Sequence, residues 1–408
     1  MIAKPNSIHP MAWFLVIGTG LSRAALFITL PFLSIYIGTR FHVSPAITGI
    51  IMGLGPLCGI GSAFVMGYIS DRVGRKTILQ VSLLLWSLAF FGYIWADRLW
   101  MVAALHMLYG ACRASFEAVA TALLTDITPE HLRKKVFHLR YYAINIGACI
   151  GPPIGSWLLL QNGTQGFWFT AVIYFLYFLL FQYFVRLENP QVLGTKAIAE
   201  KLNLSFVVRT LQKDRSMFLF LLASMLMMLG FAQLETTLPQ YLQMTHGNLG
   251  IKLLVYINLT NALTIVFFQF PLTAWTKSIS LLSSIKMGFF TFAAGFMSFA
   301  FFADQPLGMM FSMFILTFGE MMVFSNMYVW MDHISPKNLK GSYFGILELT
   351  TLGFVIGPFI GGWILEKAGV HAMFITLGVL SFISIFLIHW SNYFYQKHNS
   401  SKTKTVEN

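Results

Sequence analysis

Apolar residues fill this chain in long blocks that end at short charged or Gly/Pro-rich turns. Twelve such blocks occupy residues 12–37, 46–69, 77–96, 99–125, 137–160, 166–187, 216–243, 251–275, 281–303, 307–331, 340–365 and 371–395. Each reaches the roughly 20 residues that a helix needs to cross a bilayer core. None alternates polar with apolar positions as a barrel strand does. Lipid leaves no partner for open backbone N–H and C=O groups, so the blocks predict helices. The longest polar interval, Glu188 to Arg215, divides them six and six. The expected organisation is an N-terminal six-helix bundle (1–187), a central loop (188–215), a C-terminal six-helix bundle (216–396) and a tail (397–408). Within the loop, Ile198, Leu202 and Phe206 recur every fourth residue among basic side chains. This pattern suits either a short helix lying on the membrane surface or a plain connector.

Composition agrees. Of 408 residues, 57% are hydrophobic and 10% charged, with a mean hydropathy of +0.70. A soluble domain carries about 25% charged residues, so a water-facing surface cannot be assembled from this chain. Cys58, Cys112 and Cys149 lie singly in apolar blocks, which predicts neither a disulfide framework nor a metal site. The first apolar block is too long for the core of a cleaved signal peptide. The net charge of +12 reflects position. Twenty of the 27 Lys and Arg fall in loops on one side of the predicted membrane and four on the other. That bias places both termini in the cytoplasm and faces the basic loops toward anionic lipid, leaving no call for nucleic acid.

The halves repeat. Gly147, Gly151, Pro152 and Gly155 form a GxxxGPxxG pattern, and adding 206 to each number gives Gly353, Gly357, Pro358 and Gly361 in the same pattern. Asp126 and Asp332 share that offset. Thr-Leu-Pro occurs at 29–31 and again at 237–239. A duplication of this period indicates a two-half transporter with its site between the repeats near mid-membrane.

Gly67-Tyr-Ile-Ser-Asp71-Arg72-Val-Gly74-Arg75-Lys76 joins the second and third blocks. It resembles the GxxxDRxGRR/K loop motif of the major facilitator superfamily at every diagnostic position. The paired GxxxGPxxG segments resemble the fifth-span motif of that superfamily's drug:proton antiporter branch, and the likeness covers nearly the whole chain. The resemblance implies an all-α fold of two pseudo-symmetric six-helix bundles working as a rocker switch. It also implies that Asp71, Arg72, Arg75 and Lys76, with Gly67 and Gly74, latch the cytoplasmic side, Asp71 against a helix end of the other half. The second half keeps only Lys277 of this set, so the latch is expected to be asymmetric. The Gly-Pro segments are expected to pack spans five and eleven closely beside the central cavity.

An ionisable group inside hydrocarbon is costly, which marks it as a functional candidate. Glu235, Glu320 and Glu348 sit in blocks seven, ten and eleven with no Lys or Arg within four residues. Apolar surroundings favour the protonated carboxyl, so these three are candidates for proton exchange. Glu235, before Thr-Thr-Leu-Pro239, and Glu320, after Gly319, also resemble the carboxylates that proton-coupled multidrug exporters use for protons and cationic drugs. Glu348 matches no motif and rests on expected burial alone. The family's fourth-span Arg position is held by His106, a hydrogen-bonded space-filler or a proton carrier. Arg113 follows, with Glu117 at the i,i+4 spacing that allows the two to neutralise one another. Arg140 stands where some exporters have an acid, which bears on substrate charge. Arg23, roughly mid-span, is open to three roles: anion binding, countering a Glu across the cavity, or snorkelling. Arg23, Arg113, Glu117 and Tyr142 are the expected substrate-cavity residues.

The sequence therefore predicts a proton-coupled secondary exporter of lipophilic, drug-like and cationic compounds, monomeric and embedded in the cell membrane. Protons are the coupling ion and no cofactor is expected. The alternative is a proton-coupled carrier of a specific metabolite, sugar or anionic lipid, with Arg23 and Arg113 binding the anion. No nucleophile–base motif, metal cluster or appended sensory segment suggests an enzyme or a receptor.

Overall fold

The computed structural model describes residues 8–161, 164–187, 213–336, 343 and 346–406. Helices joined by short turns account for nearly all of those residues, with no strand among them. The helices are α1 (Pro10–Phe41), α2 (Pro45–Val73), α3 (Arg75–Trp95), α4 (Leu99–Ile127), α5 (Glu130–Gln161), α6 (Gln165–Leu187), α7 (Arg215–Glu235), α8 (Thr237–His246), α9 (Asn248–Thr276), α10 (Leu281–Phe301), α11 (Pro306–Ile334) and α12 (Leu352–Val406). The 3₁₀ turn Glu348–Thr351 precedes α12. Gly369 breaks α12 with φ 81° and ψ 177°, giving two spanning segments where the sequence predicted blocks eleven and twelve to meet. The surface-helix pattern at 198–206 and most of the central loop lie outside the described residues.

Local sequence explains the boundaries. Ser44 caps α2 and Ser280 caps α10, each hydroxyl accepting from the backbone N–H three residues on. Predicted block seven is divided. Pro239 has no N–H for the Glu235 carbonyl and its ring crowds that position, so α7 stops at Glu235 and α8 restarts at Thr237. The Gln240 side chain supplies a donor to the Thr236 carbonyl at 3.0 Å. Among the described residues, eight stretches are long and apolar enough to span a membrane, and two of them, Arg215–Thr276 and Glu348–Lys397, have the length of two spans each. Helices α4 and α5 are long enough but more polar, because they carry His106, Arg113, Glu117 and Arg140.

The chain forms two compact units. One contains α1 to α6 together with Glu235–Asn258; the other contains α7 through Leu234 and everything from Leu259 onward. The first unit has an aromatic core in which Trp86 stacks on Tyr174 at 4.2 Å, with Tyr93, Tyr177 and Phe181 buried around them. In the second unit Phe289, Phe292, Phe296, Phe299 and Phe374 are buried together with Phe220.

Each unit contains the same glycine seam. On α5, a Cβ at Gly151 would lie 2.7 Å from the Ala24 carbonyl and 2.5 Å from the Phe27 Cβ of α1. Gly147 and Gly155 abut the carbonyls of Gly20 and Ile28. On α12, Gly353, Gly357 and Gly361 abut Met225, Leu229 and Gln233 of α7. The repeat seen in the sequence is thus a repeat of one helix crossing, with small residues admitting the neighbouring backbone.

Candidate functional site

Five charged residues of the first unit lie within electrostatic reach of one another. Helix α1 contributes Arg23, α4 contributes Arg113 and Glu117, α5 contributes Arg140, and the break after α7 contributes Glu235. Arg140 donates through Nη2 to Glu117 Oε2, through Nη1 to Thr121 Oγ1 at 2.7 Å, and through Nε to Thr19 Oγ1 at 3.4 Å. Arg23 Nη2 stands 3.9 Å from the other Glu117 oxygen. The carboxylate of Glu117 is therefore held between guanidiniums from two other helices. The i,i+4 pair expected between Arg113 and Glu117 is not formed, because Arg140 and Arg23 occupy both oxygens. Arg113 acts on Glu117 only at longer range.

Glu235 is half-buried, and the cations acting on it are Arg23 and Arg113. The site remains accessible, since Arg23 and Glu117 keep 24% and 30% of their side-chain surface. The three arginines face two carboxylates, Glu117 and Glu235. Arg140 entered the sequence reading only as a departure from an exporter pattern. Its role was hidden because its partner lies 23 residues away on another helix.

Glu320 belongs to the second unit. It is half-buried on α11 and accepts a hydrogen bond from Asn261 Nδ2 at 2.6 Å; the same amide reaches Thr317 Oγ1 at 3.0 Å. The signal for Asn261 was its amide within the apolar run of α9. Glu348 corrects an expectation: its side chain is exposed, on the 3₁₀ turn before α12. Gly353, Gly357 and Gly361 fix which face of α12 meets α7. Glu348, five residues before Gly353, falls about 140° round the axis from that seam at helical spacing. Tyr142 is also exposed on α5, its ring edge-on to Tyr141 at 6.4 Å.

His106 is buried in the first unit. Its Nε2 lies 3.1 Å from the Met52 carbonyl and its Nδ1 3.1 Å from the Tyr93 hydroxyl. A carbonyl only accepts, so Nε2 carries the proton and Nδ1 accepts from Tyr93, which satisfies a neutral imidazole completely. The space-filling reading fits this geometry.

At the α2–α3 junction Gly74 adopts φ 93°, a left-handed conformation that a side chain would strain, and donates its N–H to the Ser70 carbonyl at 3.0 Å. Arg75, 3% exposed, pairs with Asp126 of α4 at 2.9 Å. Arg72 donates to the Tyr68 hydroxyl and lies over that ring at 4.5 Å, while Lys76 is exposed. The contacts described for Arg72 and Arg75 stay within the first half, where the sequence suggested partners for a latch. The reason for Arg75 is its place in the first turn of α3, facing the end of α4. Gly67 lies on α2 with open space around it. The side chain of Asp71 lies outside the described residues.

The Major Facilitator Superfamily profile matches residues 15–351, and the chain belongs to that family. It is a multi-pass membrane transporter and not an enzyme. An uncharacterized MFS-type transporter, YqjV, of Bacillus subtilis (strain 168) is 32% identical over 403 residues, covering 98% of this chain and 97% of the relative. Multidrug resistance protein MdtH of Yersinia enterocolitica is 25% identical, covering 93% of each. A Na(+), Li(+), K(+)/H(+) antiporter of Planococcus maritimus is 24% identical, covering 94% of this chain and 96% of its own. Among solved structures, a POT family transporter in complex with 5-aminolevulinic acid superposes with a TM-score of 0.80 at 14% identity, over 94% of this chain and 96% of that one. That likeness is one of fold.

Proposed function

We propose that the protein is a proton-coupled secondary transporter of lipophilic small molecules, with Glu235 as its main coupling carboxylate and Glu320 as a second. The observation that carries this reading is the position of Glu235 at a helix break, within reach of the charges of Arg23 and Arg113. Ionised, Glu235 offsets one of those cations; protonated, it offsets neither. A site whose charge changes by one unit on protonation makes substrate binding and proton binding interdependent.

Export of drug-like compounds is the direction supported by the paired Gly-Pro segments and by the multidrug resistance relative. Exchange against protons is supported by the cation/proton antiporter relative. In this cycle substrate enters from the cytoplasm or inner leaflet, the halves rock outward, and external protons neutralise Glu235 and Glu320 to permit return. Both termini are placed in the cytoplasm, the protein acts as a monomer in the cell membrane, and the loop from Gly67 to Lys76 latches the cytoplasmic side. The alternative, a carrier of a specific anion, is favoured by one observation, the excess of guanidiniums over carboxylates around Glu117.

Inverted membrane vesicles energised by a proton gradient test the coupling. Accumulation of a fluorescent lipophilic dye should collapse when a protonophore is added. Accumulation that persists without a gradient contradicts the proposal.

A further inference from the structure

We propose that the end of the first unit opposite the α2–α3 junction holds a zwitterionic lipid headgroup of the phosphoethanolamine type, its phosphate on Arg40 and its ammonium on Asp97. This site lies apart from the arginines and carboxylates described above and is independent of how transport is coupled. The unit has there a cavity of about 490 Å³, lined by Tyr36 and Arg40 of α1, by Trp95 and Asp97 at the end of α3, and by Thr164 and Gln165 at the start of α6. That size falls within the roughly 300–1,000 Å³ of small-molecule sites.

The local chain holds the two charges in place. Tyr36 is buried, with the rings of Phe167 and Phe41 edge-on at 5.0 and 6.4 Å, and its hydroxyl accepts from Arg40 one turn later. That bond anchors the guanidinium on the α1 wall. Asp97 sits in the short turn between α3 and α4. The N–H of buried Ala96 donates to the Tyr93 carbonyl at 3.4 Å, and the Arg98 carbonyl accepts from Met101 at 3.0 Å, so the turn is tied at both ends. Among the described residues no ion pair within 4.0 Å joins Arg40 to Asp97, although both line the cavity. Opposite charges that share a cavity without closing on each other suit a ligand that carries both signs.

Each group of the headgroup has a matching side chain. The planar fork of an arginine fits phosphate oxygens and keeps its charge at any physiological pH. A carboxylate in a cavity with aromatic side chains suits an ammonium. A simple anion would engage only Arg40, and a simple cation only Asp97. Thr164 and Gln165 add uncharged donors for the ester oxygens beyond the phosphate. Position identifies the source as a lipid. Trp95, Trp100 and Trp168 are exposed at this same end of α3, α4 and α6. Exposed tryptophans at the ends of spanning helices mark the membrane–water interface, which is the level of lipid headgroups. Arg40 also lies on the predicted non-cytoplasmic side, so the bias that accounts for the cytoplasmic basic residues does not account for it.

The test uses full-length protein, delipidated in neutral detergent and titrated calorimetrically with three probes. These are dihexanoyl phosphatidylethanolamine, dihexanoyl phosphatidylglycerol, which keeps the phosphate and chains but lacks the ammonium, and chain-free glycerophosphoethanolamine. The ethanolamine lipid should bind at one saturable site, and the glycerol lipid about fivefold more weakly. Arg40→Gln should weaken both lipids. Asp97→Asn should weaken only the ethanolamine lipid and so remove the preference. Both side chains are exposed, so both variants should keep the wild-type melting temperature. Equal binding of the two lipids by wild type, or a preference that survives Asp97→Asn, overturns the site. Undiminished binding of both lipids by Arg40→Gln overturns the phosphate contact. Glycerophosphoethanolamine that binds as tightly as its lipid overturns the lipid source and assigns the cavity to a soluble zwitterion.

Discussion

Arg140 of α5 crosses to Glu117 of α4 and holds one of its carboxylate oxygens while Arg23 of α1 approaches the other. Three helices are thereby tied at one carboxylate inside the first unit. Removing Arg140 alone strands a partly buried charge, which is worse than removing the pair. Arg140→Gln should lower stability by about 2 kcal/mol, and the double variant Arg140→Gln/Glu117→Gln should recover part of that loss. Denaturant unfolding of the three variants in detergent checks this; equal loss in single and double variants removes the coupling.

The Arg75–Asp126 pair is more enclosed and fixes the α2–α3 turn on the end of α4. Asp126→Asn should cost about 3 kcal/mol, because the buried Arg75 charge loses its 2.9 Å ion pair with α4. Arg75→Lys should not substitute fully, since it lacks the planar fork. Melting curves of these variants against wild type give the comparison.

Close packing at the glycine seams leaves no room for side chains. Gly151→Val and Gly357→Val should each destabilise the protein by about 2 kcal/mol through forced separation of α5 from α1 and of α12 from α7. A valine at Gly67, which has open space around it, should leave the melting temperature unchanged.

The helices were legible because apolar block length carries the membrane constraint directly. The Gly-Pro repeat was legible because small residues at helical spacing report a close crossing. The charge network was only half legible. Arg113 and Glu117 share a helix face, so spacing favoured their pairing, while the actual partner of Glu117 arrives from α5 through tertiary structure. Burial of Glu348 was inferred from its apolar neighbours; its place on the 3₁₀ turn before α12, away from the glycine seam, leaves its side chain exposed instead. Asn261 gave a weak signal as a single amide in an apolar run, and its link to Glu320 depends on how α9 packs against α11.

His106 makes two hydrogen bonds that satisfy it as a neutral ring. His106→Gln should lower stability by about 1–2 kcal/mol through imperfect replacement of those bonds, while the pH profile of transport keeps its midpoint. A shifted midpoint in proteoliposome assays would assign His106 a proton-handling role instead.

The central claim is that protonation of Glu235 couples the gradient to substrate movement. Its most direct test is transport by Glu235→Gln in proteoliposomes, measured both as gradient-driven accumulation and as exchange of substrate between two equilibrated compartments. The account predicts that accumulation is lost while exchange continues, because the variant still binds and rocks but no longer carries the proton. Gradient-driven accumulation at the wild-type rate in Glu235→Gln would contradict it.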